Sequence, residues 1–153
     1  MDKVGINPPR YGSLEGSTEI LARDGDIAIR KMRNAEADYR LLERWLTEPR
    51  LLEFVYGRNN AYSFERIVAK FGARARGEAG VVAGIITIGG QAIGYLQFYP
   101  ASEEGYELDD DVADTYGMDM FIGEPAYWGR GVGTRVLSAL TYVLLEKRGL
   151  RRI

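Results

Sequence analysis

Apolar and polar residues alternate at every second position in Ile27-Ala-Ile-Arg-Lys-Met32, the pattern of a strand with one buried face. The period then lengthens. Asn34 stands where a helix cap would, and Leu41, Leu42, Trp45 and Leu46 share one helical face until Pro49, which reads as the stop. A second helix is expected over about residues 63–75. Two apolar runs, residues 81–88 and 91–99, flank Gly89-Gly90, and a glycine pair supplies the positive φ that a tight hairpin needs. A strand over residues 116–122 leads into a glycine-rich turn. The helix after it is marked by Val132, Val136, Leu137, Leu140, Val143 and Leu144 and ends near Gly149. Leu150-Arg-Arg-Ile153 reads as the start of a further strand. Residues 1–25, with Pro8, Pro9 and four glycines, show no period and are expected to form a loose leader. The resulting order, β-α-α-β-β-β-α, is that of a mixed α/β chain with one domain over residues 26–153 and no internal repeat.

The glycine turn carries the first chemistry. Gly129, Gly131 and Gly133 alternate directly before the last helix. Glycine lets the chain bend tightly, and the first N–H groups of a helix lack internal partners at its partly positive end. Together these make a seat for a phosphate or pyrophosphate, although such a loop is also a plain strand-to-helix connector. No Gly-Lys-Ser/Thr closes it as a Walker loop would. The spacing also misses G-x-G-x-x-G, and no acidic ribose reader follows about twenty residues on.

Composition narrows the mechanism more than the fold. The 153 residues contain no cysteine and no histidine. Disulfides, a thiolate metal site and a thioester enzyme intermediate are therefore excluded, and any general base must be a carboxylate, tyrosine, lysine, amine terminus or relayed water. No metal ligand set is read. No apolar run is long enough to cross a bilayer and no secretory leader opens the chain, so a cytoplasmic location without membrane association is expected. The net charge of −2 hides a run of acids: Glu103, Glu104, Glu107, Asp109, Asp110, Asp111, Asp114 and Asp119, without an intervening Lys or Arg. Such a run is either a solvated, self-repelling loop or a negative funnel for a polycationic substrate. Nucleic acid is disfavoured as a partner, because no basic stripe with interleaved aromatics is present.

The stretches Tyr116-Gly-Met-Asp119, Phe121-Ile-Gly-Glu-Pro125, Tyr127-Trp128 and Gly131-Val-Gly-Thr-Arg135 together resemble the GCN5-related N-acetyltransferases (GNAT). Within that superfamily they look like the aminoglycoside 6'-N-acetyltransferases. They are most similar to the acetyltransferase half of the bifunctional acetyltransferase–phosphotransferase resistance enzyme. Trp45-Leu-Thr-Glu-Pro-Arg-Leu-Leu-Glu-Phe54 and Ile93-Gly-Tyr-Leu-Gln-Phe-Tyr99 fit the same group, and the likeness covers about residues 26–153. The family turn Q/R-x-x-G-x-G/A matches Trp128-Gly129-Arg130-Gly131-Val132-Gly133, with Trp128 where Gln or Arg is usual.

The resemblance implies a GNAT fold, a mixed, mostly antiparallel sheet with flanking helices. It also implies acetyl-CoA as co-substrate and the 6'-amine of an aminoglycoside as acceptor. The family continues with a further strand, a helix and two strands, so this chain is expected to be incomplete at its C-terminal end, or completed by a partner chain or a second copy. Asp119 matches the proposed general base and cation holder, expected partly buried between Met118 and Met120; a buried salt bridge is the alternative. Phe121 and Ile122 match the residues whose backbone meets pantetheine and the thioester carbonyl. Arg130, Gly131, Val132, Gly133 and Thr134 match the pyrophosphate seat, while Arg135 faces phosphate or solvent. Trp45 stands where the family lines its substrate cleft, with core packing as the alternative. Tyr95 and Gln97 share one face of the strand beside that of Asp119, placed either to hydrogen-bond sugar hydroxyls or to pack the sheet; Glu53 and Tyr56 are weaker candidates. Two other outcomes stay open: a peptide or protein amine acetyltransferase, and a non-catalytic fragment that binds coenzyme A or cations.

Overall fold

Five strands in sequential order form one antiparallel sheet, with three helices against one face and one against the other. The computed structural model describes residues 19–101 and 115–147. The strands are β1 (Ile20–Asp24), β2 (Ile27–Lys31), β3 (Val82–Ile88), β4 (Gln91–Pro100) and β5 (Tyr116–Ile122). The helices are α1 (Glu36–Trp45), α2 (Pro49–Val55), α3 (Phe64–Ala75) and α4 (Val132–Tyr142), the last running into a π-helical turn, Val143–Lys147.

Both faces of the sheet are covered, so β3 and β4 are apolar almost throughout. Ile27 and Ile29 of β2, with Ile86 of β3, pack under Val132, Val136 and Leu140 of α4. Ala83, Ile85 and Tyr95 point the other way, toward Tyr39, Leu42 and Trp45 of α1 and Ile67 and Phe71 of α3. One irregularity adjusts the pattern. The β3–β4 register shifts between Ile86 and Thr87 and leaves Ile93 as an extra residue, so Ile93 joins Leu96 and Phe98 on the α4 side. Burying each such Ile, Leu or Phe side chain is worth about 1.5–3 kcal/mol over leaving it in water.

The hairpin at Gly89-Gly90 forms as expected, with φ of 55° and 85°. Ser63 caps α3 through the Arg66 N–H at 3.2 Å. Three expectations change. The leader of residues 1–25 holds β1 at its end, because Asp24-Gly25-Asp26 makes a second tight turn with Gly25 at φ 58°; residues 1–18 lie outside the described residues. Asn34 does not cap α1: Ala35 is the cap, and Asn34 Oδ1 instead accepts from the Tyr39 hydroxyl. Pro49 begins a helix rather than only ending one, since its missing N–H costs nothing in a first turn that Glu48 caps through the Arg50 N–H. The acidic run over 102–114 and the expected strand at 150–153 also lie outside the described residues.

Candidate active site

Asp119 belongs to β5, directly opposite Gln97 of β4, with Phe121 opposite Tyr95. Odd-numbered residues of β5 pair with β4. This follows from the ends of the ladder, where the Gly123 N–H donates to Ile93 O at 2.7 Å and the Ala101 N–H to Thr115 O at 2.9 Å. The backbone groups of Met118, Met120 and Ile122 therefore turn to the outer edge of the sheet, which no described strand covers. Phe121, expected to offer its backbone to a ligand, turns it toward Tyr95, and the neighbouring backbone on the open edge is that of Met120. The Ile122 carbonyl accepts from Trp128 Nε1 at 2.7 Å, so its N–H is the group left on that edge.

The turn after β5 is anchored from α1. Trp45 Nε1 donates to Glu124 Oε1 at 3.0 Å and Arg44 to Glu124 Oε2 at 3.0 Å, while Glu124 N–H shares Ile93 O with Gly123. The Trp45 ring lies so close to Gly123 that an added Cβ would come within 2.2 Å of it. Trp45 is only 1% exposed and lines neither cavity described below: it is the floor of the turn rather than part of the cleft.

Gly129 and Gly131 have φ of 69° and 72°, and a Cβ on either would meet nothing within 4 Å, so bare backbone faces open space. The Arg135 N–H donates to Gly131 O at 3.1 Å as the first bond of α4. The N–H groups of Val132, Gly133 and Thr134 are left without an intrahelical partner. A cavity of about 390 Å³ lies at this helix mouth, walled by Leu51 and Phe54 of α2, Met120 to Ile122 of β5, and Trp128, Gly129 and Gly131 to Gly133 around the turn. The exposed backbone and the positive helix end fit the pyrophosphate and pantetheine of coenzyme A. Val132 contributes only its backbone, its side chain being core. Arg130 is exposed, its guanidinium 5.9 Å from the Tyr127 ring, and Thr134 is exposed. Arg135 faces away: it pairs with Asp24 at 3.0 Å and Asp26 at 3.5 Å on the β1–β2 turn.

A second cavity, about 430 Å³, adjoins the first and shares Phe54, Val55, Met120 and Phe121 with it. Asp119, Gln97, Tyr95 and Tyr56 line it, with Lys70 and Arg74 of α3. Glu53 lies outside both and pairs with Arg58 at 3.0 Å. Asp119 is exposed, not partly buried, and is no salt-bridge partner among the described residues. Its Oδ2 accepts from Gln97 Nε2 at 3.0 Å, and Gln97 Oε1 accepts from the Tyr95 hydroxyl at 2.8 Å. Burial holds the Tyr95 hydroxyl far above the usual tyrosine range, against the pull of the Arg74 cation beside it, so it stays protonated.

Sequence reasoning missed Phe54, Lys70, Arg74 and Glu124. The i, i+4 spacing of Lys70 and Arg74 put them on one helix face, but nothing local told which face met the sheet.

Residues 34–153 match the family model described as the acetyltransferase (GNAT) domain. Aminoglycoside N(6')-acetyltransferase type 1 of Klebsiella pneumoniae is 23% identical over 153 residues, covering 99% of this chain and 71% of that protein. The structure of AAC(6')-Ib in complex with ribostamycin and coenzyme A superposes with a TM-score of 0.70 at 23% identity, over 82% of this chain and 70% of that one. RimL, a ribosomal alpha-N-protein acetyltransferase solved with coenzyme A, superposes with a TM-score of 0.62 at 15% identity, over 87% of this chain and 71% of its own.

Proposed function

The chain belongs to the GNAT acetyltransferase family, and on that premise we propose that it transfers acetyl from acetyl-CoA to the 6'-amine of an aminoglycoside. The observation that carries the reading is the common wall. A helix-mouth cavity suited to a diphosphate and a cavity holding an exposed carboxylate meet at Phe54, Val55, Met120 and Phe121, so two reactants can touch. The relative named for aminoglycoside N(6')-acetylation supports the choice of acceptor.

The unpaired N–H groups of Val132, Gly133 and Thr134 hold the pyrophosphate of acetyl-CoA, and the outward backbone of Met120 and Ile122 meets its pantetheine amides. Bound there, the co-substrate supplies the thioester. Asp119 holds the acceptor ammonium and takes its proton, directly or through water. The neutral amine attacks the thioester carbonyl carbon; the C–N bond forms, the nitrogen gives up its second proton to water, the C–S bond breaks, and the coenzyme A thiolate leaves and takes a proton from solvent. Most of the rate gain is proximity and carbonyl polarisation by fixed N–H groups. Acetylation removes one positive charge from the drug and so weakens its hold on phosphate-rich RNA.

Lys70 and Arg74 on the acceptor cavity favour a second reading, an amine on a peptide that also carries carboxylates. Thiol release from acetyl-CoA by the purified chain, with kanamycin or with an acidic peptide, separates the two. Release that depends on kanamycin is expected. Release with the peptide alone moves the acceptor to the second reading, and coenzyme binding without turnover overturns both.

A further inference from the structure

Tyr95 and Gln97 are 3% and 6% exposed, yet both stand on the wall of the acceptor cavity. Their polar atoms are spent on each other and on Asp119. The chemistry of the donors gives this chain a direction. A carboxylate can only accept, so the Gln97 amide must turn its nitrogen toward Asp119 and its oxygen toward Tyr95. That oxygen needs a donor, and the Tyr95 hydroxyl has a single hydrogen to give. Arg74 lines the same cavity beside that hydroxyl; a guanidinium can only donate, so it leaves the hydroxyl no acceptor on its own side.

We propose that Tyr95 and Gln97 are positioning residues, a one-way donor chain from the α3 wall that ends on Asp119 and holds its carboxylate in one orientation toward the acceptor amine. The proposal deepens the acetyltransfer reading and rests on Asp119 being the base. Tyr95 acts at two removes: without its hydroxyl, the Gln97 amide is free to turn over and present its oxygen to Asp119, so the carboxylate loses its donor although nothing that touches it has changed.

The test uses the full chain, labelled with nitrogen-15. Hydrogen exchange of the Gln97 side-chain amide is followed without ligand in the wild type, in Tyr95→Phe and in Asp119→Ala, the last at an exposed site. Both substitutions are expected to speed that exchange by about five-fold, the value of one hydrogen bond, with β4 backbone amides unchanged. In turnover, Tyr95→Phe and Gln97→Leu should each lower kcat by about five-fold at constant KM for acetyl-CoA, and the double variant should be no worse than Gln97→Leu alone. Gln97 exchange that ignores Tyr95→Phe and Asp119→Ala, or kcat losses that multiply in the double variant, overturns the donor chain. Absence of aminoglycoside-dependent thiol release by the wild type overturns the acceptor reading instead, and the exchange result still decides the donor chain.

Discussion

Asp119 lines the second cavity with one carboxylate oxygen already occupied by Gln97. On the proposed reading, one oxygen is held in place while the other is left for the amine. If the carboxylate is the base, Asp119→Asn keeps the size and the exposed position but removes the proton acceptor. We expect kcat to fall by about 100-fold or more, with KM for acetyl-CoA nearly unchanged. Steady-state kinetics with each substrate varied in turn checks this. A loss shared equally between kcat and coenzyme affinity would make the residue structural. Glycine matters at the same scale. Gly123 is required because the Trp45 indole fills the space a Cβ would take, so the β5 turn and α1 are fitted to each other.

At the scale of elements, α2 and α3 complete the site that β4, β5 and α4 begin. Phe54 of α2 walls both cavities and stands 6.4 Å edge-on from the Trp128 ring. Lys70 of α3 donates to the Tyr62 hydroxyl at 2.8 Å and lies over the Tyr56 ring, so its charge is held near the acceptor. A polycationic acceptor should feel it. Lys70→Glu is expected to lower KM for an aminoglycoside by roughly five-fold, about 1 kcal/mol for a half-exposed charge, and the gain should shrink as salt rises. An acidic peptide acceptor would move the opposite way, which KM measurements at two ionic strengths would reveal.

Elements were legible in the chain where a local signal set them. Gly89-Gly90 gave the β3–β4 hairpin, and the alternating glycines gave the mouth of α4. The hairpin register even puts Gln97 and Tyr95 on one face. What stayed hidden was docking between distant segments. Phe54 and Lys70 meet Asp119 only after α2 and α3 fold onto the sheet, and β1 needed the Asp24-Gly25-Asp26 turn to be weighed against an otherwise aperiodic stretch. The partner of the β5 backbone was hidden for a similar reason: ladder parity decides that Met120 rather than Phe121 faces outward, and parity is a property of two strands.

For the molecule as a whole, the sheet is tied to the helical layer by one buried charge. Asp38 of α1 is fully buried, taking both Arg30 nitrogens at 2.8 Å and the Arg33 N–H at 2.7 Å. Burial alone would raise its carboxyl, but the hydrogen bonds from Arg30 and Arg33 more than offset this and hold it below its ordinary value of 3.8. Its pKa is thus lower folded than unfolded. The stability it contributes is present in full above the unfolded value, near pH 4, and is lost as pH falls through the folded one. Removing the charge strands two arginines, so Asp38→Asn should cost about 3 kcal/mol at neutral pH. Denaturant unfolding from pH 7 down to pH 3 should find that gap constant at first and narrowing only below about pH 4.

Among all 153 residues there are two tryptophans, and the fold spends both at this site. Trp128 closes the helix-mouth cavity while donating to β5, and Trp45 lies sealed beneath the same turn, bonded to Glu124. One indole is partly exposed and the other sealed. The protein consequently carries its own optical gauge: emission from the partly exposed ring would shift to the blue as a nucleotide thiol covers it, against a steady background from the sealed one.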